Sequence, residues 1–254
     1  MRVRSYQCVE RSLARVEGYR IAGHAIDSAT NFIVRIETDS GIVGHGCAAP
    51  AEEVTGESDA LCHEVLDGVL RHHVEKATLD DDPADLTLKL LALAPGAPAA
   101  CAAVDIALWD IAAQAAGKPL AELFGSLRAP MPTSVTIGIC NVGQTLDEAD
   151  GWLGKGFSIL KIKTGEDVDS DIDRLRQLRM HCGNGVELRV DANRGYTLAD
   201  AQTFLERTSD LDIEFLEQPL AADDLDGSKS LTAESGIPIL ADESVVSIAD
   251  AERV

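Results

Sequence analysis

Ile159-Leu160-Lys161-Ile162-Lys163, Glu187-Leu188-Arg189-Val190-Asp191 and Ile213-Glu214-Phe215-Leu216-Glu217 decide how this chain is read. Each is a short β-rich run that ends on a charged residue. Similar runs occupy residues 134–139 and 238–242. Between the runs lie stretches with helical patterning, at 144–153, 169–181, 198–208 and 225–235. Strands about 25 residues apart with helices between them make βα units, and so a parallel sheet. Five units fit into residues 126–254, whereas a complete eight-unit barrel takes ~250 residues. The expected architecture is therefore α/β, an incomplete (β/α) barrel of about five of eight units. Residues 247–254 would open the fifth helix.

Residues 1–125 have a different rhythm. Asn31-Phe32-Ile33-Val34-Arg35-Ile36-Glu37-Thr38 alternates apolar and polar side chains, as a half-buried strand does. Asp39-Ser40-Gly41 is turn chemistry, and Ile42-Val43-Gly44 resumes a strand, which is a hairpin signal. Residues 58–76 carry Leu61, Val65, Leu66, Val69 and Leu70 on a helical stripe. The Ala-rich residues 97–116 predict a mostly buried helix, stopped by Gly117-Lys118-Pro119. This first domain is expected to be α+β.

Composition narrows the function classes. The formal net charge is −21, from 22 Lys and Arg against 43 Asp and Glu. Phosphate backbones and anionic membrane surfaces need clustered cations, so nucleic acid and membrane partners are not expected. No apolar run of 18 residues and no signal-peptide pattern is evident. The six cysteines are scattered without a Cys-x-x-Cys pair, which reads as reduced thiols in a cytoplasmic protein. The histidines have no metal-ligand spacing, and His72-His73 reads as a solvated helix end. Asp80-Asp81-Asp82 reads as a solvated loop ahead of Pro83. No glycine-rich nucleotide-binding pattern occurs.

The strand ends carry the chemistry. Asp191, Glu217 and Asp242 are spaced 26 and 25 residues apart, one per βα unit. The C-terminal ends of barrel strands converge on one face, so these carboxylates are expected to be neighbours. Three acids together repel one another, and a hard divalent cation removes the conflict. All-oxygen ligation points to Mg²⁺, with Mn²⁺ as a substitute. Lys161 and Lys163 flank Ile162, so both ammonium groups point to the same side of their strand. Two close ammonium groups beside a metal lower each other's pKa, so one is expected to be neutral and to serve as a general base. The combination suggests proton abstraction from a carbon next to a carboxylate, with charge stabilised by the metal.

Lys161-x-Lys163, Asp191-Ala192-Asn193, Glu217-Gln218-Pro219 and Asp242-Glu243-Ser244, in this order, resemble the enolase superfamily and its muconate-lactonizing-enzyme subgroup. Residues 1–125 resemble that family's capping domain, including Ala103-Val104-Asp105-Ile106-Ala107-Leu108-Trp109-Asp110 and Gly117-Lys118-Pro119-Leu120. Residues 50–57 and Thr136-Ile137-Gly138-Ile139 are similar to dipeptide epimerases of the L-Ala-D/L-Glu type. The resemblance implies Asp191, Glu217 and Asp242 as Mg²⁺ ligands and Lys163 as the acid/base on one face of the substrate. It implies Lys161 and Thr136 as substrate contacts, and capping loops near His24 and Val54-Thr55 that close over the site. The implied substrate is a small carboxylate, a dipeptide or N-acylamino acid, and the implied reaction is epimerisation or racemisation through an enediolate. A cycloisomerase or o-succinylbenzoate-type lyase on the same scaffold is the alternative, and a non-catalytic remnant is another. The family's second catalytic Lys, at the end of the sixth strand, is expected beyond Val254. Exposed edges on strands one and five predict a homo-oligomer.

Overall fold

The computed structural model describes residues 1–14, 20–21, 24–25, 28–79, 82–125 and 131–254. Asp80 and Asp81, and the side chain of His24, lie outside the described residues. The described residues divide into two compact units. One holds 1–14, 28–79 and 82–125; the other holds 20–21, 24–25 and 131–254.

The first unit opens with β1 (Val3–Ala14), a 12-residue strand. The second unit claims a short antiparallel ribbon of β2 (Arg20–Ile21) and β3 (His24–Ala25). In the first unit the chain continues through β4 (Ser28–Thr38) and β5 (Val43–Ala48). The sheet order β1-β4-β5 is antiparallel throughout. Alternation is visible in β4, where Phe32, Val34 and Ile36 are buried at every second position. The expected hairpin thus forms, with Thr38 Oγ1 accepting from the Ile42 amide at 3.0 Å in its turn.

Helices follow: α1 (Glu52–Thr55), α2 (Asp59–Val65), α3 (Arg71–Lys76), α4 (Pro83–Leu93), α5 (Pro98–Ala116) and α6 (Leu120–Leu123). A π-turn at Leu66–Leu70 links α2 to α3, so residues 59–76 run as the expected helical stretch with one widened turn. Its inner stripe of Cys62, Leu66, Leu70 and Val74 is buried in the unit's core.

By length and mean hydropathy α5 could cross a bilayer. It is instead the central core helix of this unit, with nine buried residues. Its small residues allow a close approach to β5. A Cβ added at Gly46 would lie 1.8 Å from the Ala103 carbonyl oxygen, and one at Gly44 would lie 2.2 Å from that of Ala107. Asp110 fixes the same seam by accepting from the His45 amide at 2.9 Å.

Glu57 is fully buried and accepts from the amides of Ala99 (2.6 Å) and Ala100 (3.1 Å). Ala97, at the N-cap of α5, has no side chain able to bond those amides, so a distant carboxylate does so.

The second unit alternates β6 (Val135–Ile137), α7 (Val142–Leu153), β7 (Ile159–Lys163), α8 (Val168–Cys182), β8 (Glu187–Asp191), α9 (Leu198–Arg207), β9 (Ile213–Glu217), α10 (Leu225–Glu234), β10 (Ile239–Leu240) and α11 (Ile248–Ala251). All pairings in the order β10-β9-β8-β7-β6 are parallel. This is the expected α/β arrangement, a capping unit followed by five strands of a partial barrel. Leu160, Ile162, Leu188 and Val190 form the apolar side of the central strands. They pack in one core with Ile172, Leu175 and Leu178 of α8. The opposite side is left for charged residues.

Candidate active site

Register places the charged strand ends abreast. Lys163 of β7 pairs with Asp191 of β8, and Asp191 pairs with Glu217 of β9. One step earlier, Thr136 of β6 pairs with Lys161. Leu240 lies abreast of Glu217, which puts Asp242 just past the end of β10. The residues singled out from the sequence therefore share one end of the sheet.

Their side chains form an alternating charge network. Lys161 Nζ lies 2.8 Å from Asp191 Oδ2 and 2.8 Å from Glu217 Oε2. Lys163 Nζ donates to Asp191 Oδ2 at 2.7 Å and to Asn193 Oδ1 at 2.6 Å. Asp191 is fully buried, and Lys163 nearly so.

The titration behaviour follows from these distances. Burial works to raise the Asp191 carboxyl, but Lys161 and Lys163 outweigh it and hold the group below its ordinary value. Burial works to lower the Lys161 ammonium, and Asp191 with Glu217 outweigh it in turn, so its pKa is raised. Glu217 is raised, first by burial, with the charges of Asp191 and Asp242 adding to it against Lys161.

Lys161 is not the lysine that becomes neutral, because Asp191 and Glu217, each 2.8 Å from its Nζ, outweigh burial and hold it charged. The three acids also do not meet on a common point. Among the described residues no three His, Cys, Asp or Glu side chains converge as a metal cage. Asp191 and Glu217 share the Lys161 ammonium instead, since a cation between a buried acid and a partly buried one relieves the same repulsion that a metal ion would. The donor set still fits a hard divalent ion chemically. It is all oxygen, from carboxylates at or just past successive strand ends.

Several residues of this end of the sheet had no role in the sequence reading. Asn193 takes a positive φ of 41°, which turns its amide toward Asp191 Oδ1 (3.0 Å) and its side chain toward Lys163. Gln218 takes a φ of 35° directly after Glu217. Its Oε1 accepts from the amides of Asp242 (2.8 Å) and Ser244 (3.1 Å), and its Nε2 donates to Ser244 Oγ at 2.8 Å. Gln218 thus holds the loop that carries Asp242. The strand-end tripeptides contained both residues, but their roles depend on left-handed backbone that the residue types do not announce. Val54 and Thr55 are exposed on α1, and Thr55 Oγ1 donates to the Ala51 carbonyl.

Residues 6–125 match the family model of the mandelate racemase / muconate lactonizing enzyme N-terminal domain, and residues 144–254 match the enolase C-terminal domain-like model. The chain is 39% identical over 254 residues to the L-Lys-D/L-Arg epimerase of Desulforapulum autotrophicum, covering 100% of this chain and 71% of that protein. The chain belongs to the enolase superfamily. Within it, the chain is similar to dipeptide epimerases and to a muconate lactonizing enzyme. The L-Ala-D/L-Glu epimerase of Bacillus subtilis is 36% identical over 233 residues, 89% of this chain and 63% of the relative. The chain thus spans about two thirds of the length of these curated enolase-superfamily relatives.

Solved structures of the superfamily agree. A substrate-liganded complex of the L-Ala-D/L-Glu epimerase from Bacillus subtilis superimposes with a TM-score of 0.94 at 33% identity, covering 100% of this chain and 71% of that one. The dipeptide epimerase from Methylococcus capsulatus, complexed with Mg and the dipeptide L-Arg-D-Lys, gives 0.91 at 36% identity with the same coverage.

Proposed function

We propose that this chain carries the metal-binding half of a Mg²⁺-dependent dipeptide epimerase, which abstracts the proton α to a carboxylate. The observation that carries the reading is the row Lys163–Asp191–Glu217. It sets a buried amine beside strand-end acids on one end of a parallel sheet. Asp191, Glu217 and Asp242 would hold the ion, and Mn²⁺ could replace it. When bound, the metal offsets the negative charge that develops on the substrate carboxylate.

The chain's own residues do the rest. Lys163 removes or returns the α-proton at its Nζ, on one face of the substrate. Asn193 and Asp191 aim that Nζ through the 2.6 and 2.7 Å bonds already present. Lys161 and Thr136, abreast on β7 and β6, would contact the substrate. Displacement of Lys161 from Asp191 and Glu217 would free both carboxylates for the cation and leave its ammonium to meet the substrate's negative end.

The substrate is proposed to be a dipeptide, with a cationic Lys/Arg-type dipeptide ahead of Ala-Glu. The relatives named for Lys-Arg dipeptides are 39 and 41% identical, against 35, 36 and 29% for those named for Ala-Glu. A net charge of −21 also attracts a cationic substrate. N-acylamino acids are the neighbouring class, as the N-succinyl-L-Arg/Lys racemase of Bacillus cereus is 30% identical. On this reading the enzyme works in the cytoplasm and assembles with copies of itself.

The test is incubation with Lys-Arg and Ala-Glu dipeptides in D₂O with Mg²⁺, followed by mass spectrometry. Metal-dependent deuterium uptake at the α-carbon is expected. No uptake with either dipeptide at any divalent-ion concentration would contradict the proposal.

A further inference from the structure

A buried ion pair outside the strand-end network reaches the backbone that carries Lys163. Asp171 and Arg174 lie on α8, each 3% exposed, with Asp171 Oδ1 accepting from Arg174 Nη2 at 2.9 Å. Arg174 Nη2 also donates to the main-chain carbonyl of Lys163, and Nη1 donates to that of Gly138, just beyond β6, at 3.1 Å. Asp171 Oδ2 accepts from the Gly165 amide (2.9 Å) and from the Tyr196 hydroxyl (2.8 Å). Tyr196 is itself buried, and its amide donates to the Pro219 carbonyl at 3.0 Å. The pair therefore fastens the chain just after β6 and β7 and holds Tyr196, beyond β8, whose own amide reaches the segment after β9.

The destinations of these bonds separate the pair from ordinary core packing. Arg179, five residues further along α8, donates to the carbonyls of Leu211, Gly183, Val186 and Asp212, at the other ends of the strands. Arg179 serves the end that bears no site chemistry, and Arg174 serves the end that does. A buried ion pair is weak evidence for stability, since well-packed apolar residues of similar volume often stabilise a fold as well or better. Its distinctive contribution is fixed geometry. The loop it grips is also tight: Gly165 has a φ of 104°, and a Cβ at Gly195 would fall 2.1 Å from the Gly165 oxygen. Burial, and then the charge of Asp171, raise the Tyr196 phenol, so it remains a proton donor.

We propose that Asp171, Arg174 and Tyr196 form a positioning clamp for Lys163, which fixes the Lys163 carbonyl and the Gly165 amide at the two ends of the Lys163–Gly165 segment and so the direction of the Lys163 side chain. The clamp rests on the reading of Lys163 as the acid/base. Nζ lies at the end of a long side chain, so a modest tilt of the Lys163 peptide displaces it by about 1 Å, enough to cost roughly 100-fold in rate.

The test uses the full chain with two variants and a control. Tyr196→Phe removes one hydroxyl, and Asp171→Leu/Arg174→Met replaces the pair with apolar groups and keeps the helix packed. Arg179→Met is the control at the opposite end. Amide hydrogen exchange, read without substrate, is expected to quicken at least tenfold in residues 163–165 in both clamp variants and to stay unchanged there in the control. In the α-deuteration assay, kcat is expected to fall about 10- to 100-fold with KM within twofold, whereas the control lowers Tm and keeps kcat. Unchanged protection at 163–165 in a folded Asp171→Leu/Arg174→Met chain would overturn the clamp, as would an unchanged kcat. If the unaltered chain deuterates no dipeptide, the epimerase reading falls, and the exchange result alone decides the clamp.

Discussion

Lys161 bridges Asp191 and Glu217, its Nζ 2.8 Å from a carboxylate oxygen of each. The ammonium takes the place in the charge balance that a divalent ion would take, so cation and lysine compete for the same two acids. Lys161→Met is therefore expected to tighten Mn²⁺ binding roughly tenfold, measured by isothermal titration calorimetry. An unchanged dissociation constant would show that the bridge plays no part in that balance.

Lys163 is poised differently, between Asp191 and Asn193 at 2.7 and 2.6 Å. Lys163→Ala is expected to reduce α-deuteration of a dipeptide by about 10²- to 10⁴-fold while divalent-ion binding persists. Deuteration that survives this substitution at the original rate would remove Lys163 from the chemistry.

In the capping unit, the stretch 50–57 that resembles the dipeptide epimerases contains a structural carboxylate. Glu57 bonds the first amides of α5 from full burial. Glu57→Gln keeps the volume and one acceptor but leaves one amide poorly served. A loss of about 1–2 kcal/mol in unfolding free energy is expected by urea titration, with divalent-ion affinity unchanged. A change in ion affinity without a change in stability would refute the capping role.

The five-stranded sheet ends at β6 and β10, each paired on one side among the described residues. Open strand edges invite pairing with other chains. The 254-residue chain is expected to elute as an oligomer in size-exclusion chromatography at high concentration. A sharp monomer peak there would contradict this.

Much of the second unit was legible because its strands are buried on a regular period. The bounds of β7, β8 and β9 fall where the apolar runs place them, at Ile159–Lys163, Glu187–Asp191 and Ile213–Glu217. The fifth strand is shorter than residues 238–242 suggested, because pairing with β9 covers Ile239 and Leu240 before Gln218 takes over the loop. β1 is not legible in the sequence, because its exposed Glu10, Arg11 and Ser12 disguise a strand whose partner is 11-residue β4. The loop reading of Asp82 conceals α4, which Asp82 caps and Pro83 opens.

The candidate site shows the same division. The positions of the lysines and acids follow from strand period and spacing. What turns them does not: Asn193 and Gln218 act through positive φ, and Arg174 acts only once α8 has docked on the sheet. No local pattern records a contact created by packing two distant segments.

The central claim is that acids at successive strand tips grip one doubly charged ion. Mn²⁺ titration followed by electron paramagnetic resonance tests it most directly, on the chain and on Asp191→Asn, Glu217→Gln and Asp242→Asn. One bound ion per chain, weakened at least tenfold by each substitution, is the expected result. An ion that stays bound equally well in all three variants, or no uptake by the unaltered chain, would contradict the account.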